Sequence, residues 1–350
     1  MYIGVDTHKR SHVLVAIDEQ GQACGSRKIA NTPEGWAAAL EWGRGWERGR
    51  IWGVENSGSL GKGLAQFLLE QGEEEVREIV PHRTAQYRKR ARTQDKTDTA
   101  DALAMARLLR AESEYLPRVH ADDVSTELRV LSEHRDNLVD DRTRLINRLH
   151  AQMLQIDPSY REKSGPLTGE RGLSYCRDLS LPDASDLVRT RLLIVRQLTE
   201  QLARLNEEIA EVTKALQRRV HSTNTPLLEL CGVGDVIAAR LIGELGAAPR
   251  VHSAAALASL AGISPVEVSS GGRHGHRLNR GGNRKLNRAI HIIALSQRRC
   301  DPRAQEYYAK KRAEGKTERA AMRCLKRRLV DVLYRLLRQG AMGGDTLRAA

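Results

Sequence analysis

Aromatic side chains are scarce in this chain: one Phe, four Trp and eight Tyr in 350 residues. That shortage excludes a base-stacking platform of the single-strand-binding type. Cysteine is equally uninformative as a framework. The five residues, Cys24, Cys176, Cys231, Cys300 and Cys324, are odd in number and show no CxxC spacing. They supply neither a zinc site nor a disulfide scaffold, and they point to a reducing compartment. No run of 18 apolar residues occurs, and the start, "MYIGVDTHKRSHV", carries a charge at residue 6, unlike a signal peptide. A cytoplasmic protein without a membrane partner is expected.

Positive charge, by contrast, is plentiful. The formal net charge is +13 and the pI about 9.8. Residues 271–340 hold 20 Lys and Arg against 5 Asp and Glu, a local +15. An excess of that size on one segment implies a polyanion, most simply nucleic acid.

The chain reads as α/β followed by all-α, in three regions: 1–120, 121–220 and 221–345. In the first, "YIGVDTH" and "SHVLVAIDEQGQ" predict a β-hairpin, "RIWGVENSG" and "VREIVP" further strands, and "TPEGWAAALEWGRGW" and "LGKGLAQFLLEQG" helices. "RTAQYRKRARTQ" is a basic connector. In the second, Leu187, Ile194, Leu198, Leu202, Leu205, Ile209, Val212 and Leu216 form a heptad seam, with Arg191 as its polar intruder. Leu128, Leu131, Leu138, Leu145 and Leu149 repeat the pattern less regularly. A dimerising coiled-coil arm and a helical bundle within one chain both satisfy this spacing.

Acids mark the candidate chemistry. Asp6 ends one apolar strand and Glu55 another, where open α/β sheets bind ligands. "KTDTADA" (96–102) adds Asp98 and Asp101, spaced i, i+3 at the start of an alanine-rich helix and so on one face. Alone, that pair also fits a solvated helix start, and Asp95 repeats the spacing. Four carboxylates from three elements suit Mg²⁺, as a two-metal pair acting on a phosphodiester. His8, His12, His274, His276 and His291 are too irregularly spaced for a transition-metal site; His274 and His276 are possible phosphate contacts and the others structural.

Two further segments carry signals. "CGVG" (231–234) lies between predicted helices, as in a helix-hairpin-helix, where Gly232 and Gly234 let phosphate approach backbone N–H groups; a plain helix C-cap fits as well. "VSSGGRHGHRLNRGGNRK" (268–285) is either a flexible basic loop or a nucleophilic serine followed by arginines that stabilise phosphoryl charge.

The set "YIGVDTHKRSHVLVAID", "VENSG" and "KTDTADA" resembles the DEDD-type insertion-sequence transposases. So do "LCGVGDVIAARLIGELG", "LASLAGISP" and "SSGGRHGHRLNRGGNRKLNRAI". The resemblance spans nearly the whole chain and is weakest over 125–220. It implies an RNase H-like, RuvC-like N-terminal domain with Asp6, Glu55, Asp98 and Asp101 as metal-binding catalytic acids, and it leaves Asp95 out. It implies a catalytic serine just before a glycine, matching Ser270; Ser269 is adjacent. The "GGRHGHR" that follows departs from the serine-rich run of some relatives. Nucleic acid would be held through Gly232, Gly234, Arg273, Arg277, Arg280, Arg284 and Lys285. The implied reaction is RNA-guided strand exchange between donor and target DNA, through a phosphoserine intermediate, by dimers assembling into a tetramer. A structured bridge RNA is the guide, and Mg²⁺ is the cofactor, with Mn²⁺ able to substitute. Rival expectations are a junction-resolving nuclease that uses water, an actin-like or sugar-kinase-like ATPase suggested by "IGVDTH", and a non-catalytic nucleic-acid-binding protein.

Overall fold

A computed structural model describes residues 1–46, 49–73, 75–80, 84, 97–246, 251–270, 273–277, 279 and 281–345; for 267–270, 273–276 and 340–345 it describes the backbone. The basic connector, apart from Thr84, lies outside these residues. The chain divides into two compact units, Met1–Asp122 and Asp123–Ala350.

The first unit is built on β1 (Tyr2–Thr7), β2 (Ser11–Ile17), β3 (Ala23–Ala30), α1 (Pro33–Arg44), β4 (Ile51–Glu55), α2 (Lys62–Glu70), β5 (Val76–Ile79) and α3 (Asp98–Glu112). The strand order is β3-β2-β1-β4-β5. β2 runs antiparallel to both β1 and β3, and β4 is parallel to both β1 and β5. β1 is apolar on both sides because both faces are covered. Ile3, Val5, Leu14, Trp52 and Val54 pack with Leu40 of α1 and Leu64 and Leu68 of α2. On the opposite face Val13, Val15 and Ile17 meet Ala102 and Ala106 of α3. Thr32 caps α1 by accepting from Gly35 N, and Pro33 opens the helix. Sequence alone does not mark β3, since only Ile29 of its eight residues is buried and no apolar alternation is left to see.

Glu73 is the principal buried acid of this unit outside the sheet edge. Its carboxylate accepts from Arg50 at 2.7 and 3.2 Å and from Trp52 Nε1 at 2.8 Å. Burial alone would raise this carboxyl; the Arg50 and Trp52 hydrogen bonds outweigh it and hold the group below its ordinary 4.5. A lowered folded-state pKa stabilises above the unfolded value and is lost as pH falls through the folded one. Glu73→Gln is therefore expected to cost roughly 3 kcal/mol at neutral pH. In denaturant titrations, its deficit against wild type shrinks as the pH is taken well below 4.5.

The second unit opens with two long helices, α4 (Val124–Ile156) and α7 (Asp186–His221), joined through α5 (Tyr160–Ser164) and α6 (Glu170–Asp178). At 33 residues α4 is about 50 Å long. The two pack in opposite directions. Leu128 shares a core with Leu216 and Val220, Leu138 with Leu205 and Ile209, and Leu149 and Met153 with Val195, Leu198 and Leu202. Arg191, the intruder in the heptad seam, donates to Gln152 Oε1 at 2.9 Å. The seam thus closes within one chain as a helical hairpin. Leu187, at its start, stays 63% exposed.

After α7 come α8 (Asp235–Leu245), α9 (Ala254–Leu260), the hairpin β6 (Val266–Ser270) and β7 (Arg273–Arg277), α10 (Arg284–Cys300), α11 (Pro302–Ala313) and α12 (Glu318–Asp345). Their core includes Leu241, Leu257, Ile290, Ile293 and Leu329, and also takes in Leu128 and Leu216. The segment before "CGVG" is shorter than the helix expected there. It is a single 3₁₀ turn, Pro226–Glu229, because Asn224 at φ +47° and the Thr225–Pro226 start leave only Pro226 to Cys231 before Gly232. All five cysteines are free thiols, and Cys231 and Cys300, 69 residues apart, have their sulfurs 3.8 Å from one another. Among the described residues no helix is long and apolar enough to cross a membrane.

Candidate active site

Two glycines set the position of α3 over the sheet. A Cβ on Gly4 would lie 2.4 Å from both Ala102 O and Ala106 N, and one on Gly53 would strike Ile79 and Leu109. At Gly4 the backbone of α3 lies directly on β1, and at Gly53 the side chains of Ile79 and of Leu109 on α3 fill the space a Cβ would take. Side chains alternate along a strand. Asp6 therefore shares the α3 face with Gly4, and Glu55 shares it with Gly53. The parallel register pairs Gly4 with Gly53 and Val5 with Val54, and one step further it sets Asp6 beside Glu55. The first turn of α3 supplies Asp98 and Asp101, with Thr97 Oγ1 accepting from Ala100 N at 3.2 Å as the cap.

Asp6 is buried, 5% exposed, while Asp98 is 53% exposed on its side chain. Between them sits His8: its Nε2 lies 3.1 Å from Asp6 Oδ2 and 3.5 Å from Asp98 Oδ1. One ligand atom from each of Asp6, His8 and Asp98 falls within 4.8 Å of the others. Burial raises the Asp6 carboxyl above its ordinary value; His8 opposes the rise, and the negative charges of Asp101 and then Asp98 add to it. The donors are mainly hard oxygens, one of them buried against like charge. That arrangement fits a divalent cation, which relieves both burial and repulsion. Glu55 is held through its backbone, its O accepting from Thr7 Oγ1 at 3.0 Å, and the chain then turns at Asn56, φ +49°.

His8, taken as structural from the sequence, is instead grouped with Asp6 and Asp98. Its signal is the i, i+2 spacing from Asp6 at the strand end, which is visible in "DTH" only once the acid is known to be a ligand candidate.

The C-terminal candidates lie in the other unit. Gly232 has φ +87°, and a Cβ there would meet Ser296 Cβ at 2.9 Å, so this glycine serves close packing on α10. Gly234 caps α8 with open space about it. Asp235, in the first turn of that helix, pairs with His221 at 2.9 Å. The expected flexible segment is a two-stranded hairpin, with Ser269 opposite His274 and Ser270, the last residue of β6, opposite Arg273. Gly271 and Arg280 lie outside the described residues. Arg277 and Arg284 are exposed. Lys285 is engaged already, 2.5 Å from Glu133 and 3.6 Å from Glu244, so a phosphate would have to compete for it.

Comparison with known proteins accounts for both halves. Residues 3–158 match the DEDD transposase family of IS110 type, and residues 224–309 match the transposase family IS116/IS110/IS902. The 43.6 kDa protein of insertion element IS110 from Streptomyces coelicolor is 30% identical over 288 residues, spanning 70% of this chain and 71% of the relative. The chain belongs to this transposase family. The 44.8 kDa protein of insertion element IS116 from Streptomyces clavuligerus is 29% identical over 381 residues, spanning 97% of the transposase and 94% of the relative. The mini-circle putative transposase for IS117 from Streptomyces coelicolor is 24% identical over 96% of the chain and 94% of its own. The N-terminal match takes in all four candidate acids of the transposase, and the C-terminal match takes in the glycine turn and Ser270. As a DNA transposase of an insertion sequence it acts on DNA, and the acid cluster suits the divalent metal use of a DEDD domain.

Proposed function

We propose that this transposase is a cytoplasmic, Mg²⁺-dependent recombinase with an RNase H-like, RuvC-type catalytic domain. In this reading Asp6, Glu55, Asp98 and Asp101 are its metal ligands and Ser270 is its nucleophile. The observation that carries the reading is the buried Asp6 carboxylate, held with His8 and Asp98 at the end of β1. Helices on both faces of a sheet of three antiparallel and two parallel strands support the RNase H-like assignment. When bound, Mg²⁺ supplies Lewis-acid polarisation of the scissile phosphodiester and neutralises developing charge.

The protein's own groups do the rest. Ser270 Oγ gives its proton to solvent and attacks phosphorus; the Oγ–P bond forms, the bond from phosphorus to the deoxyribose oxygen breaks, and that oxygen takes up a proton from solvent. In this reading Arg273, whose backbone pairs with that of Ser270, stabilises the phosphoryl charge. Asp6 and Asp98 keep their spacing through His8. The +15 of residues 271–340 supports a long polyanion contact, made with donor and target DNA and with a structured guide RNA. The resemblance to RNA-guided relatives supports the guide and the assembly of dimers into a tetramer.

The test is adduct trapping. Full-length protein, co-expressed with the element's RNA, is mixed with Mg²⁺ and donor and target DNA and run on a denaturing gel. A protein–DNA adduct is expected in wild type and absent from Ser270→Ala and Asp98→Ala. Cleavage without an adduct that survives Ser270→Ala but not Asp98→Ala would replace the serine with water as the nucleophile, as in a junction-resolving nuclease.

A further inference from the structure

The acids are flanked by a basic groove within the same unit. It has a volume of about 460 Å³ and is lined by Ser26, Arg27 and Lys28 of β3, Val13 of β2, and Thr97, Asp98 and Thr99 at the start of α3. Its relation to the acids follows from register. Asp6 pairs with Val13, and Val13 pairs with Lys28. With Glu55 on the other side of Asp6, one row crosses four strands: Lys28, Val13, Asp6, Glu55. Residues in one row project from the same face. That is the α3 face, because Val13 packs there with Ala102 and Ala106. The Lys28 and Asp6 positions are two strand spacings apart, about 10 Å. Val13 is the floor between them, and Asp98 lies at the border shared by groove and acid cluster.

Lys28 and Arg27 are exposed and, among the described residues, neither makes an ion pair, although Asp98 lines the same groove. β3 is the edge of the sheet, a position that commonly carries lysine against aberrant pairing. Edge protection explains a lysine somewhere on β3. It does not explain one placed in the row of Asp6, above a recess that opens to the acids.

We propose that this groove is the channel by which the DNA strand to be cut reaches the acids, with Lys28 holding one backbone phosphate. The inference rests on the assignment of Asp6 and Asp98 as the reacting centre. A strand whose scissile phosphate lies at those acids has its flanking phosphates within reach of the groove, where Lys28 meets a phosphate oxygen. The channel therefore positions the strand without reading its bases.

The test uses the full chain and a fluorescein-labelled DNA strand of arbitrary sequence, followed by anisotropy over a salt series. Lys28→Gln is expected to weaken binding severalfold and to lower the slope of log Kd against log salt by about 1. Lys28→Arg should keep the wild-type slope. Lys62→Gln, whose ammonium is paired with Asp122 at 2.7 Å, controls for net charge and should also keep it. Mn²⁺ binding should be unchanged in Lys28→Gln, while Mn²⁺-dependent cleavage at sub-saturating DNA falls. A wild-type slope in Lys28→Gln would overturn the channel. So would a loss confined to an RNA strand of the same sequence. Failure of the assignment of the acids reads differently: Asp98→Ala would keep Mn²⁺ binding and cleavage, whatever the salt slopes show.

Discussion

Asp98→Ala is expected to lower metal-dependent DNA cleavage by roughly a thousandfold, the scale on which single charge-stabilising groups act, and to leave the fold intact. The physical case lies in where Asp98 sits. Its side chain is half exposed in the first turn of α3, where an acid contributes at most about 1 kcal/mol through the helix dipole. It also adds repulsion to the buried Asp6 carboxylate, which its removal relieves. Stability should therefore move by less than about 1 kcal/mol in either direction. Asp6→Asn should behave similarly in activity and should melt at or above the wild-type temperature without metal. The amide fills the same space, and burial no longer opposes a charge. Parallel assays of cleavage and thermal unfolding check both statements. A large loss of stability in Asp98→Ala would mean that the acid serves the fold.

Gly4→Val is expected to act in the opposite way, destroying the site while leaving every acid in place. The added Cβ alone would sit 2.4 Å from the backbone of Ala102 and of Ala106, and no rotamer change removes a backbone atom. Overpacking of this kind costs about 1–3 kcal/mol in forgiving cores, and here the whole of α3 must lift. The loss should exceed about 3 kcal/mol, and Mn²⁺ binding should disappear with it. Gly58→Ala is the control, because a Cβ there meets nothing within 4 Å; its effect should stay within about 0.5 kcal/mol. Denaturant unfolding and Mn²⁺ titration of the two variants separate this account from one in which Gly4 is incidental.

The acids were legible in sequence for a definite reason. An acid closing an apolar run marks the end of a buried strand, as at Asp6 and Glu55, and two acids three apart before an alanine-rich stretch mark one face of a helix start. Their convergence was not legible, since it depends on the β1–β4 register and on the approach of α3 permitted by Gly4 and Gly53. Lone histidines at irregular spacing give no signal, so His8 came to light only with its neighbours. β3 was invisible because its outward residues are polar and only Ile29 is buried, and with it went the row that links Lys28 to Asp6. The leucine seam of α7 was plain, but spacing does not name a partner; that it packs on α4 of the same chain follows from the turn through α5 and α6. "SSGGRHGHR" offers no apolar alternation, so β6 and β7 are set by their pairing to one another.

The central claim is that these carboxylates form a metal site. The most direct measurement is a Mn²⁺ titration of the full-length protein, with free ion followed by electron paramagnetic resonance. Wild type and Ser270→Ala should bind Mn²⁺ saturably, and Asp6→Asn and Asp98→Ala should lose that binding. Equal binding by wild type and both acid variants would contradict the account.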